Sequence, residues 1–341
     1  MQQYLDKLIK HEDLTIEEMK AATNQCFTDT ITDTEVAAFL TALRSKGETA
    51  DEITGIVDII RSQSDLSSIT MPNVMDNCGT GGDQSYSFNI STTSSFVIAG
   101  AGVKVAKHGN RSISSKTGSA DVLEHLGVSL SFTKEHVSEM LEENNIAFLF
   151  APHVHAKLKH FTKVRKELGL PTIFNAIGPL TNPIELDSQF IGVYRPEMIK
   201  MVAESLLKLG RKRAIVVNGA GFMDEASLAG TNEMMMVDNG DLIPFTLHPE
   251  EVGLPTYSND EIRGGNAREN ADILLSVLEG KEGPYLDTVL LNAGLGLFAN
   301  GAAQTVQESV ALARESITSG AAMDRLQQLV NYSKTIKREV I

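Results

Sequence analysis

A cluster of glycines followed by hydroxyl side chains is the strongest chemical signal in the sequence. The stretch CGTGGDQSYSFNIST, residues 78–92, places three glycines within four residues and an aspartate directly after them. A glycine-rich loop between a strand and a helix points backbone N–H groups at an anion, and the helix dipole adds to the attraction. A tight turn alone would also use glycine. Four side-chain donors at the same predicted helix start favour the anion site. They are Ser87, Asn89, Ser91 and Thr92.

The second chemical signal is a basic stretch, KHGNRSISSKTGSADVLEHLG, at residues 107–127. Its basic side chains are Lys107, His108, Arg111 and Lys116. In a chain whose net charge is −14, a mobile basic loop of this kind favours phosphate binding, and Ser119 is predicted to cap the next helix. A solvated surface loop is the alternative. We expect His108 to be a hydrogen-bonding neighbour rather than a base.

An acidic pair, Asp224 and Glu225, follows the apolar run AIVVNG in the stretch NGAGFMDEASLAG. Two carboxylates in a loop after a strand can hold Mg²⁺, which takes oxygen ligands, keeps several waters and bridges substrate phosphates. An acidic helix start, which is common and needs no further function, explains the same pair. Taken alone, the pair favours this second interpretation.

A single arginine, Arg165 in the stretch FTKVRKELG, is the fourth candidate. A guanidinium can bind a carboxylate through two parallel hydrogen bonds, so this residue type suits a carboxylate substrate. Taken alone, however, an arginine in such a helical stretch is more typical of an exposed helix face.

Composition limits the class of protein. The chain has 341 residues, of which 42% are apolar and 22% charged, as in ordinary globular proteins. Its acidic balance argues against a nucleic-acid partner. Two cysteines, Cys26 and Cys78, cannot form a disulfide framework and fit a reducing compartment. Because neither a signal-peptide core nor a membrane-length apolar run is present, we expect a cytoplasmic protein without a membrane partner.

The elements that must position these residues divide into two kinds. Residues 1–66 are predicted to be helical, with three capping boxes at helix starts. The boxes pair Thr15 with Glu18, Thr32 with Glu35 and Thr49 with Glu52. From about residue 73, short β-branched runs alternate with helical patterns, which is typical of an α/β sheet with helices packed on it.

The predicted strands are VKVAK, IAFLFA, QFIGVY, RAIVVNG and DTVLLNAG, the last at residues 287–294. Helices are predicted at 119–126, 133–144 and 197–209, and a hairpin around Asn239-Gly240 makes the sheet mixed. We therefore predict a small all-helical N-terminal domain, discontinuous in sequence, and a larger α/β domain with a mixed central sheet. The helical domain covers 1–66 and is rejoined by about 155–186. The α/β domain covers 73–154 and 187–341.

Taken together, these stretches resemble the anthranilate phosphoribosyltransferase family over nearly the whole chain. The pieces that carry the resemblance are GTGGD, FNIST, KHGNR, GSADVLEHLG, FLFAP, TIFNAIGPLTNP, MDEAS and GGNARENA. The resemblance implies transfer of the phosphoribosyl group of phosphoribosyl pyrophosphate (PRPP) to anthranilate in tryptophan biosynthesis, with release of pyrophosphate. It also implies a cleft between two domains, Mg²⁺ as cofactor, and a homodimer formed through the helical domain.

The resemblance implies a role for each site residue. Implied for PRPP are Gly79, Gly82, Asp83, Ser87, Asn89, Ser91, Thr92, Lys107, His108, Gly109, Asn110, Arg111, Ser112, Ile113, Ser114, Ser115 and Ser119. Implied for anthranilate are Gly79, Asn110 and Arg165, and His108, His155 and Pro152 resemble residues along its access path. The implied metal ligands are Ser91, Asp224 and Glu225. No covalent or strong acid–base residue is expected, and the glycines are expected to leave room for the phosphorylated ribose.

Several positions depart from the commonest family pattern. Ser87 replaces a frequent threonine and keeps the hydroxyl, Gln84 replaces a frequent glycine, Asn218 a frequent histidine and Met223 a frequent leucine. Asn218 would weaken a hydrogen bond on the substrate side. Two alternatives stay open from the sequence: a pyrimidine nucleoside phosphorylase-like enzyme, and a non-catalytic relative that binds nucleic acid.

Overall fold

The computed structural model describes residues 1–112 and 116–339. The strands are β1 (Val74–Gly79), β2 (Lys104–Gly109), β3 (Ile146–Phe150), β4 (Ser188–Gly192), β5 (Arg213–Asn218), β6 (Asn232–Asp238) and β7 (Asp241–Leu247). The α-helices are α1 (Gln2–Ile9), α2 (Ile16–Gln25), α3 (Asp33–Lys46), α4 (Ala50–Ser62), α5 (Ile90–Gly100), α6 (Ser119–His125), α7 (Lys134–Glu143), α8 (Ala151–Val154), α9 (Lys159–Leu168), α10 (Phe174–Ile177), α11 (Met198–Lys208), α12 (Ala267–Leu278), α13 (Pro284–Asn300), α14 (Val306–Thr318) and α15 (Ala321–Glu339). None of these described helices is long and apolar enough to cross a bilayer.

The N-terminal helices form where the three capping boxes predicted them. In each box the threonine side chain accepts from the backbone N–H of the glutamate three residues later, and that carboxylate accepts from the threonine N–H. The later helix α9 packs against α3, with Phe161 and Val164 in the same core as Phe39 and Leu43. This packing agrees with the predicted discontinuous helical domain, whose sequence bounds stay a prediction.

The central sheet has seven strands in the order β3-β2-β1-β4-β5-β6-β7. Strands β1 to β5 pair in parallel, whereas β6 and β7 form an antiparallel hairpin at Asn239-Gly240, as predicted. The chain runs from β1 outward to β3 and then returns to the other side of β1 as β4. The strand order therefore reverses between β1 and β4, and such a switch point opens a crevice at the carboxyl ends of the strands.

One predicted strand is wrong. Residues 287–294 lie inside α13, a helix of 17 residues that begins at Pro284 and ends before Gly301 in the left-handed conformation. This helix is buried on nearly every side, so its sequence is apolar all round and shows no helical stripe. Periodicity cannot separate a short apolar strand from a segment of such a buried helix.

Candidate active site

The site begins where β1 and β4 end side by side. Gly79 and Gly192 are partners in the register of these strands, and the loop that carries Asp224 crosses directly above both. A Cβ added to Gly79 would overlap the Asp224 carboxylate, and one added to Gly192 would overlap the Asp224 carbonyl. Glycine is therefore required at position 79 by the close approach of the acidic loop. This corrects the expectation that a bound ribose alone excludes a side chain there.

The other two glycines of the loop have a different cause. Gly81 and Gly82 have φ angles of +73° and +89°, in the region that L side chains rarely adopt. A Cβ at Gly81 would meet nothing within 4 Å, and the nearest atom to a Cβ at Gly82 would be in the Tyr194 ring, 3.9 Å away. The turn thus needs glycine, and the space above it stays open. The two explanations offered by the sequence, a turn and a close approach, apply to different glycines.

Three carboxylates converge above this loop. The Asp224 N–H donates to Asp83 Oδ2 at 3.4 Å, and Asp224 Oδ2 accepts from the Gly81 N–H at 2.5 Å. Glu225 Oε1 accepts from the Ser91 N–H at 3.2 Å, at the start of α5. The acidic pair is thus brought to the glycine loop from more than 130 residues away in sequence. Asp83, Asp224 and Glu225 are called the acidic cluster below.

Burial and mutual repulsion perturb the acidic cluster. Asp224 and Glu225 are each 9% exposed. Burial, and then the charges of Asp83 and Glu225, raise the pKa of Asp224 well above its usual range. Burial raises the pKa of Glu225 to about 7, although the nearby Lys107 charge opposes the shift. The cluster would be relieved by a cation.

The donor set fits Mg²⁺ shared with a phosphorylated ligand. Within the described residues, no group of three His, Cys, Asp or Glu side chains is arranged to hold a metal by itself. Magnesium commonly binds through one or two carboxylates, several waters and substrate phosphates, so an incomplete protein shell suits it. Asp224, Glu225 and the Ser91 hydroxyl could supply the protein part of such a site.

Lys107 and His108 lie in strand β2, where both are buried, and not in a mobile loop as the sequence suggested. The Lys107 ammonium donates to the Asn77 carbonyl and lies 3.4 Å from Ser91 Oγ. It therefore places its charge beneath the start of α5. Strand β2 is buried on both faces, so Lys107 and His108, which point to opposite faces, are both buried.

His108 and His155 form a buried imidazole pair with ring centroids 5.3 Å apart, packed edge to face. Burial, followed by the His155 and Lys107 charges, lowers the pKa of His108 well below its usual range. Burial also lowers the pKa of His155 to about 4. Both rings are therefore neutral near pH 7 and are weak bases. Pro152, the third residue implied for the access path, is exposed on the short helix α8 next to this pair.

Helix α5 begins without a side-chain cap. Asn89 occupies the N-cap position, but its amide is used elsewhere. Asn89 Oδ1 accepts from Asn270 Nδ2 at 2.8 Å, and Asn89 Nδ2 donates to the Thr117 carbonyl at 3.3 Å. The Ser91 N–H at this helix start is instead donated to Glu225, so a carboxylate of the acidic cluster already lies at the positive end of the helix dipole. Asn270 was not selected from the sequence, although it lies in the stretch GGNARENA.

The remaining hydroxyls of the loop have mixed surroundings. Ser87 forms an isolated β-bridge with Arg263, and its hydroxyl accepts from Ser85 Oγ at 3.2 Å. Thr92 Oγ1 is buried and has no hydrogen-bond partner among the described residues. Such an orphaned hydroxyl is uncommon in folded proteins.

The segment after β2 differs from the predicted free basic loop. Arg111 forms ion pairs with Asp121 at 2.7 Å and Glu124 at 2.9 Å, so its charge is already balanced. Lys116 is exposed. Ser112 donates its backbone N–H to Asp121 Oδ2 at 3.4 Å. Ile113, Ser114 and Ser115, which the sequence assigned to PRPP, lie outside the described residues.

The sequence predicted that Ser119 caps α6, and this prediction is wrong. Gly118 occupies the N-cap position, and its N–H donates to Asp121 at 2.9 Å. Ser119 Oγ instead exchanges two hydrogen bonds of 3.1 Å with the backbone of Asn110. A Cβ on Gly109 would overlap this hydroxyl. Asn110 itself is exposed, so its side chain lies at the surface of the crevice.

Arg165 lies on α9, apart from the glycine loop. Its guanidinium stacks over Phe174, 4.9 Å from the ring centroid, and burial lowers its pKa. No carboxylate in the described part of the chain forms an ion pair with it, and no hydrogen bond there joins it to residues 79–92. A stacked, half-buried guanidinium without an acidic partner is suited to a carboxylate ligand.

Three departures from the common family pattern, Asn218, Met223 and Gln84, have structural explanations or surroundings of their own. Asn218 ends β5, and its amide donates to the Val193 carbonyl at 2.7 Å and weakly to the Met223 carbonyl at 3.5 Å. It thus ties the end of β4 to the acidic loop. Met223 is buried in the main core. Gln84 adopts a positive φ of 59°, the conformation that the frequent glycine would accept most easily.

Comparison with known proteins assigns the chain to a family. Residues 71–323 match the glycosyl transferase family a/b domain, and residues 2–64 match the helical bundle domain of the same family. An anthranilate phosphoribosyltransferase from Oceanobacillus iheyensis is 59% identical over 340 residues and covers 100% of both chains. One from Listeria monocytogenes is 54% identical and covers 98% of this chain and 99% of its own. The chain belongs to the anthranilate phosphoribosyltransferase family.

Solved structures of the family share the fold. The anthranilate phosphoribosyltransferase from Thermus thermophilus superposes with a TM-score of 0.91 at 39% identity, covering 97% of this chain and 99% of that one. The enzyme from Saccharomyces cerevisiae in complex with PRPP and Mg superposes with a TM-score of 0.88 at 29% identity, covering 98% and 97%. The predicted family, fold class and reaction are confirmed, and the phosphorylase and nucleic-acid-binding alternatives are not favoured.

Proposed function

We propose that this protein transfers the phosphoribosyl group of PRPP to the amine of anthranilate, giving N-(5-phosphoribosyl)anthranilate and pyrophosphate. The observation that carries the proposal is the meeting of a glycine loop, the start of helix α5 and the acidic cluster at the switch point between β1 and β4. An anion-binding loop beside carboxylates that need a cation suits a metal-bound diphosphate.

We assign PRPP to this crevice. The loop amide at Gly82, the start of α5 and the buried ammonium of Lys107 supply positive potential, whereas the Gly81 N–H is already donated to Asp224. Ser87, Asn89, Ser91, Thr92, Asn110 and Ser119 supply side-chain dipoles around the same crevice. Arg111 contributes less to this field than the sequence suggested, because Asp121 and Glu124 balance its charge.

We assign Mg²⁺ to Ser91, Asp224 and Glu225, with Asp83 beside them. The S. cerevisiae relative described with PRPP and Mg supports a metal of this kind. Bound Mg²⁺ would neutralise the pyrophosphate leaving group and orient it. This chain's own residues hold the carboxylates in place: the Gly81 and Ser91 N–H groups each donate to one of them.

We assign the anthranilate carboxylate to Arg165, with Asn110 and Gly79 near the acceptor. A relative from S. cerevisiae in complex with 4-fluoroanthranilate supports an anthranilate-type ligand. The guanidinium lies over the Phe174 ring, 4.9 Å from its centroid, and a guanidinium can bind a carboxylate through two parallel hydrogen bonds. The neutral pair His108 and His155 would line the access path without attracting the carboxylate by charge.

The arrangement accounts for the reaction without a strong base. The C1–O bond to pyrophosphate breaks as the anthranilate nitrogen forms the new C1–N bond, and the ribose passes through oxocarbenium character. The amine then loses its proton, which is acidic once the nitrogen carries positive charge. The residues act by positioning the two substrates and by stabilising the departing negative charge.

We also propose a homodimer formed through the helical domain and a cytoplasmic location. Both rest on the family resemblance. Sedimentation velocity of the purified chain tests the first, and localisation of a tagged chain by cell fractionation tests the second.

The decisive experiment follows anthranilate fluorescence with purified protein, PRPP and Mg²⁺. Consumption that requires all three components supports the proposal. A parallel assay with thymidine and phosphate tests phosphorolysis. Turnover of thymidine without turnover of anthranilate would overturn the proposed reaction while leaving the phosphate site in place.

A further inference from the structure

Four residues from distant parts of the chain close a circle of hydrogen bonds beside the start of α5. Asn270 Nδ2 donates to Asn89 Oδ1 at 2.8 Å, and Asn89 Nδ2 donates to the Thr117 carbonyl at 3.3 Å. The Thr117 hydroxyl donates to the Gly265 carbonyl at 2.8 Å, and the Gly265 N–H donates to Asn270 Oδ1 at 2.7 Å. These four residues are called the Asn89 network below. It joins the end of the glycine loop, the segment before α6 and the first turn of α12.

Backbone groups fix the direction of both side-chain amides in the Asn89 network. The Gly265 N–H can only donate, so the oxygen of Asn270 must face it and the NH₂ group of Asn270 must face Asn89. At the other end, the Thr117 carbonyl can only accept, so the NH₂ group of Asn89 must face Thr117. Turning either amide over would bring two donors or two acceptors together. The Asn89 amide therefore has one orientation.

The element that carries Asn270 is held firmly against the glycine loop. Asn270 lies in the first turn of α12, which Asn266 caps with its side-chain oxygen, and it is 3% exposed. A Cβ on Gly264 would lie 2.7 Å from both Asn270 Oδ1 and Phe88 Cα. The Gly264 N–H also donates to the Tyr86 carbonyl at 2.8 Å. The start of α12 is thus joined to the chain that leads into Asn89, with no room for a side chain at position 264.

We propose that Asn270 is a positioning residue for PRPP, which acts by holding the Asn89 amide so that it offers an N–H donor to the crevice. The NH₂ group of Asn89 carries two hydrogens, and Thr117 accepts one. Among the described residues no acceptor takes the second, so it is left for a ligand oxygen. Asn270 has both polar side-chain atoms engaged within the network, so it acts through Asn89. The inference rests on the proposed function, in which Asn89 is assigned to PRPP.

A double-mutant cycle separates this role from a purely structural tie between α12 and the glycine loop. The parent, Asn89→Ala, Asn270→Ala and the double variant are titrated with PRPP in buffer containing Mg²⁺, and binding is measured by calorimetry. We expect Asn270→Ala to weaken PRPP binding about tenfold in the parent, but by about twofold or less when residue 89 is already alanine. An equal loss in both backgrounds would show that Asn270 does not act through Asn89 and would overturn the inference.

Asn144→Ala is the matched control. Asn144 is also a buried asparagine, and its Nδ2 donates to the Arg325 carbonyl at 2.9 Å, next to the amino end of β3 and away from the crevice. We expect this variant to lower the melting temperature, as Asn270→Ala does, and to bind PRPP like the parent. If it loses as much PRPP affinity as Asn270→Ala, general destabilisation explains both and the positioning role is wrong.

Asn270→Asp runs the same cycle if Asn270→Ala does not fold. The carboxylate keeps an acceptor for the Gly265 N–H but has no hydrogen to donate to Asn89 Oδ1. Its added charge acts on PRPP in both backgrounds, so that effect cancels in the cycle and the coupling to Asn89 remains.

A measurement without ligand keeps the inference distinguishable from the proposed function. Exchange of the Asn89 side-chain N–H hydrogens with water, followed by NMR, should quicken about tenfold in Asn270→Ala, because the amide is no longer held. The Asn89 signal is identified by its absence from Asn89→Ala. Unchanged exchange would overturn the positioning role even in a chain that binds PRPP. A parent chain that holds the amide but binds no PRPP would instead overturn the proposed function, and with it the role of Asn270 toward that ligand.

Discussion

At the carboxyl edge of β1 and β4 three carboxylates meet with only the Lys107 ammonium nearby, whereas at the amino edge of β4 and β5 two arginines and two carboxylates, Asp58 and Glu185, line one cavity without forming ion pairs to each other. Both regions bury charged groups, which is a cost that proteins avoid unless a partner removes it. The two regions differ in how they are built. The carboxyl edge is assembled from loops that follow strands, and the amino edge from single residues that precede them.

At the carboxyl edge, the negative charge that the protein leaves unbalanced lies where a bound cation could neutralise it. The carboxyl edge combines its acidic cluster with glycine amides and a helix start, an arrangement that supports the proposed ligand, a metal ion together with phosphate. The amino edge places charges of both signs around its cavity, with Arg61 and Arg211 beside Asp58 and Glu185, and it has no glycine loop or helix start of that kind.

Neutralising the acidic cluster should have the largest effect. The double variant Asp224→Asn, Glu225→Gln keeps the oxygen acceptors for Gly81 and Ser91 but loses both charges. We expect kcat to fall about a hundredfold or more, because the proposed metal is lost. The melting temperature without ligands should stay equal or rise, since repulsion within the cluster is removed. A near-normal kcat at ordinary Mg²⁺ would break the metal assignment.

Arg165→Ala separates the two substrates at the carboxyl edge. A hydrogen bond to a charged group is worth roughly 1.5–3 kcal/mol, or about ten- to a hundredfold in affinity. KM for anthranilate should rise by that factor, with little change in KM for PRPP. Arg165→Lys should recover part of the loss, because it keeps the charge but not the planar fork.

Lys163→Ala, on the same helix and paired with Asp33 outside the crevice, is the matched control and should leave both constants unchanged. If Arg165→Ala instead raises KM for PRPP, Arg165 is a phosphate residue and the two substrates have been assigned in reverse.

Gly82→Ala tests the loop through its backbone. Gly82 and Gly47 have φ angles of +89° and +92°, and neither has an atom closer than 3.9 Å to an added Cβ. Both substitutions to alanine should cost about 1 kcal/mol of folding stability. Only Gly82→Ala should weaken PRPP binding, by about tenfold in calorimetric titration. Equal PRPP affinity in the two variants would separate the loop from the ligand.

The smallest expected effect is on the pH dependence of stability. The pKa of Glu225 is raised from its usual 4.5 to about 7 on folding, so the folded state binds a proton more readily than the unfolded state. This contribution to the unfolding free energy is fully present below the unfolded pKa and is lost as pH rises through about 7. The melting temperature of the ligand-free protein should therefore fall by a few degrees from about pH 5 to pH 8.

Arg211 at the amino edge should not contribute to the pH dependence of the melting temperature between pH 5 and pH 8, because its pKa is about 9. The Asp224→Asn, Glu225→Gln variant should show a flatter profile, measured by calorimetry in buffers of constant ionic strength. A parent and variant with the same slope would show that the acidic cluster does not titrate in this range.

Much of the carboxyl edge was predictable because its residues lie in local patterns. A threonine and a glutamate three residues apart mark a helix start, and glycines after an apolar run mark a loop near a ligand. Ser91 was selected on such a pattern, whereas Asp224 was assigned to the metal through the family resemblance, because the acidic pair taken alone favoured a helix start without further function. The sequence could not show that Asp224, rather than a ribose, lies against Gly79, since that contact joins segments 145 residues apart.

The amino edge was not predictable from local patterns. Arg61 and Arg211 are single arginines in unremarkable stretches, and only the strand order brings them together. The same holds for Asn270, which reaches Asn89 across 181 residues. Helix α13 was missed for a different reason, because a helix buried on all sides loses the polar stripe that identifies it.

The close contact of Asp224 with Gly79 and Gly192 limits which substitutions these two positions can accept. A side chain on either glycine would lift the acidic loop, so neither position tolerates any other amino acid without a compensating insertion. The loop residue Phe222 is exposed and free of that contact, so it can vary while the carboxylates stay in place, whereas Gly221 has a φ of +83° and a Cβ on it would lie 2.6 Å from Asn259 Nδ2. New substrate preferences can therefore arise by changes around the crevice, whereas the metal-binding geometry is inherited with the backbone of two strands.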